Sequence, residues 1–272
     1  MKNNQVSKRS KKKEILCFNE YYLPGQKSGG PVRTIANFAE YLGDDYQISI
    51  ISSDRDYLDK KPYTNKDFNK WHKVGKAKVF YISKKNINFK SIKAILSNTS
   101  YDLLYLNGLF SYEFTILPLI VRKMSKAPRN MPCVIAPRGM LSKNAAKLKS
   151  SKKKLFLLIA NFFGLYKNLV FQASNDSEKT DIYNNLKVMK QRILVAPNLT
   201  IVKPISLSKI SVKKQSPLRL VFLSRISPMK NLDFLLRALS KVNKPIDLSI
   251  YGNKEDESYY RKCFDLKDQL PK

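Results

Sequence analysis

Arg225 and Lys230 stand five residues apart in the stretch FLSRISPMKNLDFLLRAL, residues 222–239, where an apolar strand passes through a short loop into an amphipathic helix. A strand that ends in a loop at the start of a helix is where open α/β sheets bind ligands. The helix start brings unpaired N–H groups and about half a positive charge. Two cations beside it suit a diphosphate, whose two negative groups need separate partners. Asn231 is placed to cap the helix, and Asp233 suits its first turn. The alternative is a solvated basic loop.

A second such junction is GQKSGGPVRT, residues 25–34, with Gly29 and Gly30 just before Pro31 and with Lys27 and Arg33 close by. Pro31 reads as a first-turn proline. Glycines let a phosphate or sugar approach backbone N–H groups at a helix start. The spacing is neither the dinucleotide fingerprint nor a P-loop, and a turn needing positive φ explains the glycines equally well. A third feature is basic. Arg138 to Lys154 holds seven Lys or Arg and no acid, and LFLLIANFFGLYK follows directly. The segment 138–166 suits the surface of an anionic bilayer. The alternative is an apolar helix packed on the sheet with solvated lysines in front of it.

Cys17, Cys133 and Cys263 are far apart and His72 is the only histidine, so no metal-ligand spacing exists and no metal or cofactor is expected. The thiols read as reduced and buried. Trp71 and His72 lie in a polar stretch and read as structural. The formal charge of +30 favours an anionic partner: nucleic acid, a membrane face or a phosphorylated substrate. No nucleic-acid-binding motif appears and the cations are spread over many elements, so nucleic acid is not expected. With no secretory signal and no run of 18 apolar residues, a cytoplasmic protein is expected, peripheral on the inner face of the plasma membrane at most.

The elements that position these residues alternate. Strands are expected at 14–18, 46–53, 77–82, 101–107, 133–137, 168–173 and 191–197. Helices are expected from Pro31 through Leu42, then over 89–96, 112–124, 152–166 and 177–186. Alternation of this kind marks a doubly wound α/β sheet. Residues 1–13, with the run KRSKKK, form a basic tail. Residues 198–216 have no period and read as a linker between a domain at 14–197 and a second at 217–272. The second restarts the strand–loop–helix pattern, with strands at 217–223 and 246–252 and helices after each. It is too short for a whole domain, and the chain is expected to lack most of that domain.

Taken in order, the motifs resemble a family 4 retaining glycosyltransferase of the GT-B fold, polysaccharide-assembly type. SGGPVRTIANFAEYL is similar to the family's glycine-rich loop and first helix. LYLNGLFSYEF followed by VIAPRGMLS resembles the middle of its first domain, and SNDSEKTDI and VAPN resemble that domain's end. FLSRISPMKNLDFLLRAL is similar to the donor-diphosphate loop. The resemblance implies two Rossmann-like domains, the first complete and the second partial. It implies a nucleotide-sugar donor, a saccharide or lipid-linked acceptor, and hexosyl or N-acetylhexosaminyl transfer in cell-surface polysaccharide synthesis. By the same likeness Arg225 and Lys230 would hold the donor diphosphate, and Gly29 and Gly30 would let the first domain close over the reacting groups. Arg138, near where other branches carry a histidine, is the acceptor-side candidate. Ser224, Asn231 and Asn107 depart from the pattern. The family's E-x7-E pair does not occur in the sequence, so the chain is expected to be inactive by itself. A non-catalytic remnant and a basic nucleic-acid-binding protein are the rival readings.

Overall fold

The computed structural model describes residues 12–64, 66–125, 131–142, 150–200, 217–268 and 270. The chain divides into two compact units between Val202 and Lys203.

The first unit is an eight-stranded sheet. In chain order its elements are β1 (Glu14–Asn19), α1 (Gly30–Leu42), β2 (Gln47–Ser53), β3 (Trp71–Val74), β4 (Ala77–Ile82), α2 (Phe89–Asn98), β5 (Leu103–Asn107), α3 (Leu117–Met124), β6 (Cys133–Ala136), α4 (Ser150–Phe162), β7 (Val170–Ala173), α5 (Asp176–Asn185) and β8 (Ile193–Val195). The strand order is β3-β4-β2-β1-β5-β6-β7-β8, and every pairing is parallel except β3 with β4. The sheet grows outward in both directions from β1 and β5. Helices cover both faces, so the central strands are apolar on each side. Leu16, Phe18, Leu104 and Leu106 join one core with Ile92, Val121 and Phe171. Ile15, Cys17, Ile48 and Ile50 join the other with Ile35 and Ala39 of α1.

The expected doubly wound α/β architecture is present, with three local differences. Trp71–Val74 is a strand: it pairs antiparallel with β4 around a tight turn at Gly75, and Trp71 meets Phe80 edge-to-face at 5.3 Å. Four half-exposed edge residues carry too little apolar alternation to read as a strand. The helix expected over 112–124 is present, but its first turn, Tyr112–Ile116, is π-type and runs directly into α3. Pro118 has no N–H to continue the ladder, and Ile116 N–H reaches back to Ser111 O at 3.0 Å. Within the expected 198–216 linker, Leu199 and Thr200 are held to α1: Asn37 Nδ2 donates to Leu199 O at 2.8 Å and Tyr41 Oη to Thr200 O at 3.0 Å. Residues 201–216 of that segment, like most of the 1–13 tail and residues 143–149 of the basic segment, lie outside the described residues.

The second unit contains β9 (Leu218–Leu223), α6 (Leu232–Leu239), β10 (Ile246–Tyr251) and α7 (Glu257–Asp268). The two strands pair parallel over six residues. One face packs through Phe222, Leu248 and Ile250 on Leu232, Leu236, Tyr259 and Cys263. On the other, Val221 and Leu223 are 66% and 79% exposed. Asp233 ties the helices together. It accepts from Tyr259 Oη at 2.6 Å, from Arg237 at 2.8 Å and from Lys262 at 2.9 Å. The tyrosine hydrogen bond, aided by the two cations, holds its carboxyl well below the usual carboxylate range.

Candidate functional site

In the first unit, β1 pairs with β2 on one side and β5 on the other, so the strand order reverses between β1 and β5. A crevice opens at the carboxyl ends of such strands, and ligands of open α/β sheets bind there. The last pair of the β1–β5 ladder is Asn19 with Asn107. Both are buried, and Asn107 Nδ2 donates to Asn19 Oδ1 at 2.6 Å. Pairing of this kind offsets the cost of burying polar side chains.

Arg138, in the turn after β6, closes on this pair. Its Nε donates to Asn107 Oδ1 at 2.7 Å, one terminal nitrogen donates to Tyr105 Oη at 2.6 Å, and the other to Asn198 Oδ1. Tyr105 Oη in turn donates to Gln172 Oε1 at 2.5 Å, and Gln172 Nε2 donates to Ala196 O at 2.8 Å. Burial pushes the Tyr105 phenol above its ordinary value while Arg138 opposes the rise, so the phenol stays neutral. The backbone is fixed as firmly. The carboxylate of buried Glu178 accepts from Gly139 N–H at 2.6 Å, from Ser174 N–H at 2.7 Å and from Ser174 Oγ at 2.6 Å. Beside the crevice, burial raises the Glu113 carboxyl above its usual range, and nearby Glu20 adds to the rise.

The glycine-rich loop leaves the same end of β1. Gly29 has φ 67°, α1 has no side-chain cap at its N-terminus, and the space around Gly29 and Gly30 is open. Asp56 fixes the loop's first half: one carboxylate oxygen accepts from Gln26 N–H at 2.8 Å and Lys27 N–H at 3.0 Å. Gly25 packs so closely that a Cβ there would lie 2.4 Å from Tyr63 Oη and 2.7 Å from Asp56 Cγ.

In the second unit, Arg225 follows β9 and Lys230 ends a short 3₁₀ turn, Pro228–Lys230, just ahead of α6. The strand continuations run on together. Ser224 N–H donates to Tyr251 O at 3.0 Å, and Ile226 N–H to Asn253 O at 2.9 Å. This places Glu255 against Arg225, Nη1 to Oε1 at 2.6 Å. Glu255 occupies one guanidinium nitrogen and leaves other donors for a ligand. Lys230 is exposed and makes no side-chain hydrogen bond or ion pair among the described residues. Asn231 does not cap α6 as expected: it takes a left-handed φ of 54° and its side chain makes no cap bond. The 3₁₀ turn needs a left-handed residue to pass into the helix, and asparagine tolerates that conformation. Asp233 does lie in the first turn, but its carboxylate is spent on Tyr259, Arg237 and Lys262.

Arg138, Gly29 and Gly30 thus lie at the carboxyl-end side of one sheet, and Arg225 and Lys230 on one loop of the other unit. The sequence reading missed Asn19, Tyr105, Gln172 and Glu178, which orient Arg138. Their signal is polar residues at strand ends, and it has no spacing of its own. Among the described residues no cluster of His, Cys, Asp or Glu could hold a metal ion, and no helix is long and apolar enough to cross a membrane.

No family profile matches the chain, and no curated protein matches it in sequence. Solved structures do resemble it. Anabaena HepE in complex with UDP-glucose superposes with a TM-score of 0.59 at 15% identity, over 94% of this chain and 66% of HepE. The lipopolysaccharide outer core galactosyltransferase WaaB gives 0.54 at 14% identity, over 95% of this chain and 67% of WaaB. The α,α-trehalose 6-phosphate synthase of Burkholderia multivorans gives 0.52 at 10% identity, over 94% and 66%. The chain therefore shares the GT-B fold over about two-thirds of the length of these proteins.

Proposed function

We propose that the chain belongs to a family 4 type glycosyltransferase that transfers a hexosyl or N-acetylhexosaminyl group from a nucleotide sugar to a saccharide or lipid-linked acceptor in cell-surface polysaccharide synthesis. The observation that carries this reading is the Arg225–Lys230 loop. It sets two cations between the carboxyl end of a parallel strand and a helix start, in a chain whose fold is shared with a protein that binds UDP-glucose. There the cations take the donor diphosphate. Charge grows on the departing nucleoside diphosphate as the glycosidic bond breaks, so the same cations favour the transition state over the ground state. Gly29 and Gly30 give the sugar and phosphates access to the backbone at the start of α1, and Arg138 serves the acceptor side.

The test is a ligand series followed by NMR at low salt. UDP, UDP-glucose and inorganic pyrophosphate are expected to bind about tenfold more tightly than UMP, because two charged groups engage two cations. Equal binding of UMP and UDP would remove the diphosphate from the reading.

A membrane-bound acceptor is supported by α4. Leu157 and Ala160 face the core, but Leu158, Phe162 and Phe163 are 68%, 85% and 65% exposed, and Lys152 and Lys154 are exposed on the same helix. Apolar side chains beside lysines on one element match an anionic bilayer surface. Flotation with vesicles containing phosphatidylglycerol should carry the chain upward, and Phe162→Ser with Phe163→Ser should abolish this. Equal flotation with neutral vesicles would remove the electrostatic part.

A further inference from the structure

We propose that Arg138 is a preorganised receptor for an oxyanion, a phosphate or carboxylate carried by the acceptor, at the β1–β5 switch point. Calling its bearer the acceptor rests on the transferase reading above; the anion site itself does not. A guanidinium has five N–H donors. Three are engaged, one on each nitrogen, by Asn107, Tyr105 and Asn198. One donor is left on each terminal nitrogen, and two donors on neighbouring nitrogens suit a two-oxygen anion.

All three partners are neutral oxygens, so they orient the cation without cancelling its charge. Among the described residues no carboxylate pairs with Arg138. The carboxylate attached to its turn, Glu178, accepts three hydrogen bonds from Gly139 and Ser174 and none from Arg138. A structural arginine is ordinarily satisfied by an acid; this one is held in place and left positive.

The backbone supports the same conclusion. Arg138 has φ 56° and Gly139 φ 72°. A left-handed conformation is disfavoured for a side-chain-bearing residue and persists where the surroundings enforce it, most often at functional sites. Here Glu178 enforces it from below and the asparagine–tyrosine network from above. Fixed donors bind an anion without the entropic cost of ordering a long side chain. The position, beyond the carboxyl ends of β1, β5 and β6, is where a ligand reaches this kind of sheet.

Amide chemical shifts of the full chain, titrated with inorganic phosphate, glucuronate and glucose, test the proposal. Phosphate and glucuronate represent the two sources of the anion, and glucose carries none. Phosphate, glucuronate or both are expected to shift the amides of Asn107, Arg138, Gly139 and Asn198 saturably, and glucose is not. Arg138→Ala should weaken this binding about tenfold or more, and Arg138→Lys should recover only part of it, because the charge returns without the fork. Arg225→Ala with Lys230→Ala should leave it unchanged, which separates this site from the donor loop. Absence of shifts in the wild-type chain with either anion would overturn the proposal. So would saturable shifts at those amides with glucose, or Arg138→Lys binding as tightly as wild type. The wild-type titration decides the matter even if Arg138→Ala fails to fold.

Discussion

Gly252→Ala is expected to unfold the second unit and leave the first intact. A Cβ at Gly252 would lie 1.7 Å from the carbonyl oxygen of Ser224 and 2.7 Å from its carbonyl carbon. Both are backbone atoms, and no flexible side chain can swing aside. Relief requires β9 and β10 to separate at their carboxyl ends, where Ser224 and Ile226 donate to Tyr251 and Asn253. That unit has one two-stranded sheet and a five-residue buried core, so its stability is slight. A forced backbone clash costs about 3 kcal/mol or more, enough to unfold so small a core. Limited proteolysis should cut the variant within 217–268 while 12–200 survives. Wild-type protection of β10 would contradict this. The same change removes Arg225 from its place and should abolish diphosphate binding.

Asp56→Ala is expected to release the glycine-rich loop. Asp56 is buried, and its carboxylate is the acceptor for Gln26 and Lys27 N–H. Alanine leaves two inward-facing amides unpaired and removes the surface on which Gly25 rests. Loss of charge-assisted hydrogen bonds at a buried site costs about 3 kcal/mol. Hydrogen exchange should accelerate across residues 26–33 by orders of magnitude, with a lower midpoint for thermal unfolding of the first unit. Unchanged exchange there would show that α1 alone positions the loop.

The fold was legible where burial dictates residue type. Strands β1 and β4 are mostly apolar and β2 carries isoleucines with small buried serines because helices cover both faces of the sheet, and β4 matches its expected span, 77–82. Edges were not legible: β3 has four residues, none of them buried, and its contacts, Trp71 on Phe80 and His72 on Tyr81, leave no periodic mark. The π-type turn before α3 follows locally from Pro118, which has no N–H for the ladder, but a proline near a helix start does not by itself tell a π-type turn from an α-type one. At the site, cations beside helix starts could be read, since charge and glycine leave a local mark. Their partners could not. Nothing in the sequence links Glu255 to Arg225, thirty residues away, or Asn198 to Arg138, sixty away. Gly252 carries no motif, yet the approach of Ser224 dictates it. Asn231 was misread because a capping residue and a left-handed residue share a preference for asparagine, and only backbone geometry separates the two roles.

The cations between β9 and α6 are proposed to receive a diphosphate. Site-resolved amide shifts during a UDP titration test it most directly, comparing the wild-type chain with Arg225→Ala/Lys230→Ala. Saturable shifts are expected at Ile226, Ser227 and Met229 through Leu232 in the wild type, and their loss in the double variant, with the fold of both units retained. Shifts of equal size and affinity at those amides in the double variant would contradict it.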